Sequence, residues 1–235
     1  MVNVLEMFAE AFVDFVYPPS CTTCARMLGR GERYICGRCW DNFERVVRTE
    51  SIIQNMEQKF INDESLDGID SLFLFGEDQR VRTAVHILKY NGAEAVAANF
   101  AALLARKIAA GDLIPACDSV VPVPLHPARQ RERGYNQSEL ISSRVAAALG
   151  MSHEPRLLKR TRQTQTQTLL DAERRKSNIS GAFEVDRDLL VTLKGKRILI
   201  IDDVITTGST IKECARTLKR GGATSVYAAS AAITV

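Results

Sequence analysis

The chain of 235 residues is long enough for one α/β domain and a small accessory module. Hydrophobic residues make up 46% of it and charged residues 25%, proportions that are ordinary for a globular protein and exclude an intrinsically disordered chain. No apolar run is long enough to cross a bilayer, and Glu6, Glu10 and Asp14 occupy the region where a signal peptide is uncharged or basic. We therefore expect a cytoplasmic protein without a membrane span.

The net charge of +3 is too small to indicate nucleic-acid binding by itself, but the charge is unevenly distributed. Residues 156–176 carry seven basic and two acidic side chains, a local net charge of +5, which leaves −2 for the rest of the chain. Such a segment is either a solvated face or a contact for an anion.

In chain order, the first predicted element is an amphipathic helix over residues 3–16, with Phe8, Phe12 and Phe15 among its apolar side chains. The sequence Tyr-Pro-Pro-Ser that follows ends this helix. Its polar face is acidic, which favours packing against the rest of the protein over association with a membrane.

The next feature is a cysteine cluster, in which four of the six cysteines form two C-x-x-C pairs separated by eleven residues. The pairs are Cys21 with Cys24 and Cys36 with Cys39. Two such pairs joined by a loop predict one structural zinc in a tetrahedral site of four thiolates. Disulfides are the alternative, which a cytoplasmic setting disfavours. A four-thiolate site has no open coordination position, so we assign it no catalytic role.

The remaining elements predict an α/β fold. Residues 46–68 are polar and are interpreted as a bridge between a zinc module of residues 1–45 and a second unit of residues 69–235. In that unit the patterns predict strands over residues 71–75, 118–124, 196–201 and 224–234, a short extended piece over 181–185, and helices over 81–90, 93–110, 138–149 and 209–220. Alternating strands and helices predict a parallel sheet flanked by helices.

The strongest functional signal follows the strand of residues 196–201. Asp202 and Asp203 come at its end, and ligands of open α/β sheets bind at the carboxyl ends of strands. The loop residues that follow are Thr206, Thr207, Gly208, Ser209 and Thr210. Their amides and the amino terminus of the next helix favour phosphate binding. The alternative is an ordinary strand-to-helix junction, since Asp, Thr, Ser and Gly all favour such positions.

Two other segments supply cationic loops. Residues 121–137 leave a strand end, are stiffened by prolines, and offer Arg129, Arg131 and Arg133. Residues 159–174 are rich in Gln and Thr with little apolar content, which favours a mobile lid over a packed element.

Three single residues near these loops have alternative interpretations. Lys89 either extends from the end of a helix into solvent or contacts a phosphate group. His126 either bonds loop backbone or takes part in catalysis. Arg133 precedes a glycine and is a better candidate for a bidentate phosphate contact than for a surface salt bridge.

Residues 202–210, Asp-Asp-Val-Ile-Thr-Thr-Gly-Ser-Thr, resemble the phosphoribosyl pyrophosphate (PRPP) loop of type I phosphoribosyltransferases at every position. In that resemblance Asp202 and Asp203 hydrogen-bond the ribose 2- and 3-hydroxyls, and residues 206–210 hold the 5-phosphate. The resemblance implies a type I phosphoribosyltransferase fold and PRPP with magnesium as the ligand. We place the catalytic residues at Asp202 and Asp203, and we add Lys89 and Arg133 as PRPP contacts.

The resemblance extends over about residues 15–235 to the competence protein F (ComF) family, which includes the GntX-type proteins. Its motifs are the two cysteine pairs, residues 88–92 (Leu-Lys-Tyr-Asn-Gly), 121–126 (Val-Pro-Val-Pro-Leu-His), 133–137 (Arg-Gly-Tyr-Asn-Gln), Arg174 with Asn178 and residues 181–183, and the PRPP loop. The resemblance implies a zinc ribbon joined to a phosphoribosyltransferase domain. In naturally competent bacteria it also implies handling of incoming single-stranded DNA, with competence-machinery proteins as partners.

These observations leave three functional hypotheses and an open oligomeric state. The first is an enzyme that transfers phosphoribosyl from PRPP to an unidentified acceptor and releases pyrophosphate. The second is a competence factor that uses PRPP only as a ligand while single-stranded DNA contacts residues 156–176 and the zinc module. The third is a regulator with PRPP as its signal. The aromatic side chains that we expect to be exposed for base stacking are Tyr34, Trp40 and Tyr135.

Overall fold

The structure is a computed structural model that describes residues 18–43, 45–46, 55, 60, 63–76, 78–90, 93–111, 113–161 and 181–234. The predicted helix of residues 3–16, most of the predicted bridge and residues 162–176 of the basic segment lie outside these residues. Within the described ranges, no helix combines the length and the apolar character that a membrane span requires.

A parallel sheet lies at the centre of the fold. The strands are β1 (Gly68–Leu74), β2 (Ser119–Pro122), β3 (Ser152–His153), β4 (Leu158–Arg160), β5 (Phe183–Val185), β6 (Arg197–Ile205) and β7 (Ser225–Ile233). Five of them form one sheet in the order β1-β7-β6-β2-β3, and every pair in it is parallel. Strands β4 and β5 form a separate antiparallel pair. The predicted parallel sheet is confirmed.

The helices flank this sheet. They are α1 (Gly37–Asp41), α2 (Gln79–Tyr90), α3 (Ala93–Ala110), α4 (Pro127–Arg133), α5 (Gln137–Leu149), α6 (Leu190–Leu193) and α7 (Ser209–Arg220), with a 3-10 turn over Arg187–Leu189. Side chains of α2, α3 and α5 share one buried cluster, and side chains of α7 share the other with those of β4 and β5. Helices therefore cover both faces, as a parallel sheet requires.

Strand β6 is the central strand, and its apolar run explains that position. Residues 198–201 are at most 1% exposed, and their side chains alternate between the two buried clusters. The strand that follows β2 in the chain lies outward at β3, whereas the strand that follows β6 lies on the other side at β7. The connections diverge between β2 and β6, which creates a crevice at the carboxyl ends of these strands.

The crevice deepens because β6 is longer than its neighbour β2. Pairing between the two strands reaches Pro122 and Ile201, and the backbone N–H of Val123 makes one more bond to Ile201 at 2.9 Å. Pro124 has no N–H group with which to continue. Strand β6 extends to Ile205 beside β7 alone. This is longer than the predicted strand of residues 196–201, and Asp202 and Asp203 lie within it.

The zinc module packs into the same core as α2, α3 and α5. Trp40 on α1 is 6% exposed, and its ring centroid lies 5.0 Å from those of Phe43 and Phe100. The backbone N–H of Val46 bonds the carbonyl of Leu72 on β1 at 2.9 Å. The prediction that Trp40 is exposed for base stacking is therefore wrong, because its indole fills the space between the module and the sheet.

Two predictions for the loops are corrected. Residues 121–137 were expected to be a loop, but they contain α4, which begins with Pro127 in its first turn and His126 as its cap. The predicted lid of residues 159–174 is wrong at Lys159 and Arg160, which pair with β5 as part of β4. The predicted helices 81–90, 93–110, 138–149 and 209–220 are confirmed to within two residues.

Candidate functional site

The loop of residues 206–210 forms a small concavity at the end of β6. Gly208 has φ of 75°, a backbone conformation that favours glycine, and it precedes the first residue of α7. The N-cap residue Gly208 has no side chain with which to cap α7, and the backbone N–H of Ser209 makes only a long bond of 3.5 Å to Thr207 Oγ1. The concavity has a volume of about 30 Å³, and its walls include Asp202 and all five loop residues. This arrangement suits an oxyanion.

Asp202 is nearly buried beside the loop. Its Oδ1 accepts hydrogen bonds from Ser138 Oγ and from the backbone N–H of Asp203, both at 2.9 Å. Burial raises the pKa of the Asp202 carboxyl well above its ordinary value, and the negative charge of Asp203 raises it further. A nearby cation or a hydrogen-bond donor from a ligand would favour the ionised form again.

Asp203 faces a different environment. Its Oδ1 accepts the backbone N–H of Val204 at 2.8 Å, which fixes the carboxylate at the strand end. Its Oδ2 lies 3.4 Å from Lys89 Nζ at the last turn of α2. Lys89 therefore contacts the carboxylate pair and is not directed only into solvent, and its contact with a phosphate group stays a prediction.

A larger cavity of about 150 Å³ adjoins the loop concavity, because Asp202 and Thr210 line both. Its ionisable lining residues are Lys89, Arg129, Arg133, Arg160, Asp202 and Asp203. Four cationic side chains thus surround two carboxyl groups. The cavity has an excess of positive charge that suits a polyanion.

The segment of residues 133–137 hydrogen-bonds the elements that surround this cavity. Tyr135 donates its hydroxyl proton to the carbonyl of Leu88 on α2 at 2.9 Å. Asn136 donates from Nδ2 to the carbonyl of Val123 at 3.0 Å, and its Oδ1 accepts the N–H of Ser138 at 3.1 Å, which caps α5. Gln137 Oε1 accepts from Arg133 at 3.0 Å. Each residue of this motif therefore has a positioning role.

The sequence analysis missed two residues of the cavity. Ser138 holds Asp202 from the first turn of α5, and Arg160 reaches the cavity from β4 with its guanidinium 5.4 Å from the ring centroid of Phe183. Burial lowers the pKa of Arg160, although an arginine retains its charge at neutral pH. Arg160 adjoins the Gln- and Thr-rich segment, so no local hydrophobic pattern distinguished its strand.

His126 has the simpler of its two predicted roles. Its Nδ1 accepts the backbone N–H of Ala128 at 3.2 Å and caps α4, and it does not line either concavity. The structure supports the interpretation as a loop-backbone contact. The predicted residues that do lie together at the carboxyl end of β6 are Asp202, Asp203, Thr206, Thr207, Gly208, Ser209, Thr210, Lys89 and Arg133.

The cysteine cluster fits a zinc ion. The sulfur atoms of Cys21, Cys24, Cys36 and Cys39 all lie within 4.8 Å of one another. Two of these separations are 3.8 Å (Cys21 to Cys39) and 3.7 Å (Cys24 to Cys36). A tetrahedral site with Zn–S bonds of about 2.3 Å has sulfur atoms about 3.8 Å apart. The same separations are too long for disulfide bonds, so the disulfide alternative is excluded.

Comparison with known proteins agrees with both regions. The family model described as a phosphoribosyl transferase domain matches residues 130–232, and the one described as a double zinc ribbon domain matches residues 12–51. The fold is accordingly that of a type I phosphoribosyltransferase with an amino-terminal zinc ribbon. The glutamine PRPP amidotransferase of B. subtilis, a solved structure, is 21% identical with a TM-score of 0.39 over 57% of this chain and 25% of that one.

Curated relatives carry names that refer to DNA. The chain is 37% identical over 145 residues to the DNA utilization protein YhgH of Salmonella typhi, covering 60% of this chain and 62% of the relative. It is 35% identical over 147 residues to the protein of that name in Escherichia coli K12, with the same coverage. It is 37% identical over 109 residues to Competence protein F of Haemophilus influenzae, covering 45% of each. The chain spans about three fifths of the length of the YhgH relatives.

Proposed function

We propose that the chain is a protein of the competence protein F (ComF) family that binds PRPP with magnesium and transfers its phosphoribosyl group to an acceptor. The observation that carries the proposal is the pair of adjoining concavities at the carboxyl end of β6. One is enclosed by a loop and an uncapped helix terminus, and the other has four cationic side chains around two carboxyl groups.

The charge distribution suggests where each part of PRPP binds. The 5-phosphate fits the loop of residues 206–210, where backbone amides and hydroxyls are the available donors. The ribose hydroxyls fit Asp202 and Asp203, whose oxygen atoms can accept from them. The pyrophosphate, with the highest charge, fits the arginines of the larger cavity together with Lys89.

Magnesium would be held chiefly by the substrate, since this ion keeps several waters and prefers carboxylate and phosphate oxygens. Asp203 fits that preference, because its carboxylate lines the cavity, where its Oδ1 accepts the N–H of Val204 and its Oδ2 lies near Lys89. The ion would neutralise charge on the departing pyrophosphate.

The residues of the chain have three tasks in the proposed reaction. Asp202 and Asp203 hold the sugar in a fixed orientation while the bond from its anomeric carbon to pyrophosphate breaks. Lys89 exchanges Asp203 for a phosphate oxygen when the ligand enters, and with Arg133 it stabilises the leaving anion. No general acid or base is required at the sugar, because a cation-like ribose develops there and needs only an attacking acceptor.

A second candidate function is a DNA-handling factor that binds PRPP without turnover. It is favoured by the names of the relatives, which include a DNA utilization protein and a competence protein. Under this candidate, single-stranded DNA and competence-machinery proteins are the partners. A cytoplasmic location belongs to both candidates, since the four thiolates that fit zinc persist in a reducing compartment.

The binding site is tested by isothermal titration of the full chain with PRPP in the presence of magnesium. We expect the double substitution Asp202→Ala and Asp203→Ala to abolish magnesium-dependent PRPP binding while the chain stays folded by circular dichroism. Asp188→Ala, an exposed carboxylate on the 3-10 turn, is the matched control and should bind as the wild type does. Unchanged binding by the double variant would remove the site assignment.

Turnover separates the two candidate functions. Release of pyrophosphate that requires an added acceptor, found in a screen of bases, nucleotides and oligonucleotides, supports the transferase. Tight PRPP binding without release, together with salt-sensitive binding of single-stranded DNA, supports the DNA-handling factor.

A further inference from the structure

Tyr90 is an exposed aromatic side chain beside the candidate PRPP cavity. It is 54% exposed at the last turn of α2, directly after Lys89. The three aromatic residues singled out from the sequence are less exposed: Trp40 is buried, Tyr34 is half-buried against the core, and Tyr135 is half-buried and bonded to Leu88. An exposed tyrosine ring at this position is available for stacking against a partner.

Tyr90 forms the end of a row of exposed side chains. Arg82, His86 and Tyr90 are spaced by four residues on α2, are all exposed, and therefore lie on one face of the helix. The ring centroids of His86 and Tyr90 are 4.8 Å apart. The row rises about 12 Å along the helix axis from Arg82 to Tyr90.

The row continues into the candidate PRPP cavity. The guanidinium carbon of Arg133 lies 5.7 Å from the ring centroid of Tyr90, and Arg133 also lines that cavity. Lys89, the neighbour of Tyr90, has its Nζ 3.4 Å from Oδ2 of Asp203, which also lines the cavity. An aromatic ring thus stands between an exposed cation, Arg82, and the cationic side chains of the cavity.

We propose that single-stranded DNA binds along this row, with one of its bases stacked on Tyr90 and its phosphates beside Arg82 and Arg133. Aromatic rings with a cationic side chain at each end match the bases and phosphates of a single strand. A duplex offers no unpaired base face for the ring. The inference rests on the DNA-handling part of the proposed function, and it brings the strand to the mouth of the cavity where the acceptor of the transferase would enter.

The test compares oligonucleotides with and without bases. Fluorescence anisotropy measures binding of the full chain to a labelled 20-residue oligothymidylate and to an abasic strand of the same length. We expect Tyr90→Ala to weaken oligothymidylate binding by about five- to 100-fold, the effect of removing one base–aromatic stack, and to leave the abasic strand unchanged. Tyr90→Phe keeps the ring and should restore oligothymidylate binding.

Two further variants separate stacking from charge. Arg82→Ala should weaken both strands equally and reduce the salt dependence of binding by about one phosphate contact. Val191→Ala changes an exposed apolar side chain on α6 and should alter neither strand. A duplex of the same sequence should bind independently of residue 90.

Three results would overturn the inference: equal loss of both strands in Tyr90→Ala, no preference of the wild type for oligothymidylate over the abasic strand, or no oligonucleotide binding at all. PRPP titration of the same preparations distinguishes failure of this inference from failure of the proposed PRPP site. If the wild type binds PRPP but the DNA results fail, only the DNA inference is overturned. The Asp202 and Asp203 double variant tests the PRPP site and does not bear on the DNA inference.

Discussion

The zinc ribbon and the candidate PRPP cavity use polar side chains in opposite ways. In the ribbon, four sulfur atoms converge on one point with separations that suit a tetrahedral ion, and the adjacent Trp40 fills the common core. In the cavity, four cationic side chains surround Asp202 and Asp203, and the buried carboxyl of Asp202 has a raised pKa. The ribbon's chemistry is complete within the chain once zinc is bound. The cavity's chemistry is complete only with an external polyanion.

The largest effect in this comparison should come from removal of zinc. Structural zinc contributes about 10–16 kcal/mol of apparent binding free energy in small zinc domains, which exceeds the total stability of many proteins. Because the ribbon shares its core with α3 and β1, we expect Cys36→Ser to lower the melting temperature of the whole chain. Differential scanning calorimetry with elemental analysis of zinc measures both quantities.

The matched control for this variant is Cys117→Ser, which changes a buried cysteine outside the cluster. It should retain one zinc per chain and melt close to the wild type. If Cys36→Ser loses zinc but the main transition stays at the wild-type temperature, the ribbon and the sheet do not share stability. Wild-type protein purified without a chelator and free of zinc would contradict the assignment of the metal itself.

The next effect concerns Trp40, which joins the two regions. Replacing a buried tryptophan with alanine costs about 3–5 kcal/mol, and one kcal/mol lowers the melting temperature of a chain of this size by about 2–4 °C. We expect Trp40→Ala to melt roughly 10 °C below the wild type. Trp40→Phe retains a ring against Phe43 and Phe100 and should lose about half as much. A loss of under about 1 kcal/mol in urea titrations would contradict the shared core.

The sequence predicted the parts of the molecule in which local pattern and tertiary environment agree. Residues 198–201 are continuously apolar and form a strand buried on both faces, and the cysteine spacing matches a four-sulfur cluster. The carboxylate pair and the loop of residues 206–210 are consecutive in the chain. Their proximity therefore needed no knowledge of the fold.

The sequence did not predict contacts that depend on distant elements. Ser138 reaches Asp202 across 64 positions of the chain, and Arg160 enters the cavity from a three-residue strand whose partner β5 lies beyond the Gln- and Thr-rich segment. Trp40 was misplaced for the same reason, since a tryptophan beside a cysteine pair gives no local indication that Phe73 and Phe100 cover it. Residue exposure is decided by packing that a local pattern does not contain.

A smaller effect on stability should distinguish a glycine turn of the zinc ribbon from the glycine turn in the loop of residues 206–210. Gly31 in the ribbon and Gly208 in the phosphate loop both have positive φ, so alanine at either position is strained by about 1–2 kcal/mol. A Cβ at Gly31 would meet nothing within 4 Å, whereas one at Gly208 would lie 2.8 Å from Phe60 Cζ. We expect Gly208→Ala to lose more stability in urea titrations than Gly31→Ala.

The steric part of that difference can be isolated with Phe60→Ala. In the double variant with Gly208→Ala the ring is gone, so the remaining loss at position 208 should fall to that of Gly31→Ala. Equal losses for the two single glycine variants would mean that Phe60 moves away without cost. PRPP titration should still separate the turns, because only Gly208 lies in the phosphate loop.

The smallest effect, and the one that tests the nature of the cavity most directly, concerns the pH dependence contributed by Asp202. Its pKa in the folded chain is raised by burial and by Asp203, so the folded state favours the protonated carboxyl. That contribution to stability is full below the unfolded pKa of about 4 and is lost as pH rises towards the folded pKa. Asp202→Asn cannot ionise, so its melting temperature should exceed that of the wild type by a margin that grows with pH.

Melting curves between pH 4 and pH 8, with Asp188→Asn as the exposed control, measure this margin. A margin independent of pH would show that the variant acts through packing or hydrogen bonding and that Asp202 is ionised throughout. If the difference in melting temperature between Asp202→Asn and the wild type grows with pH, the ionisable carboxyl lowers the stability of the wild type at neutral pH, at the position where a sugar would bind. Magnesium and PRPP added together should then reverse the order of the two melting temperatures, because a ligand that binds only the folded wild type stabilises it in proportion to its affinity.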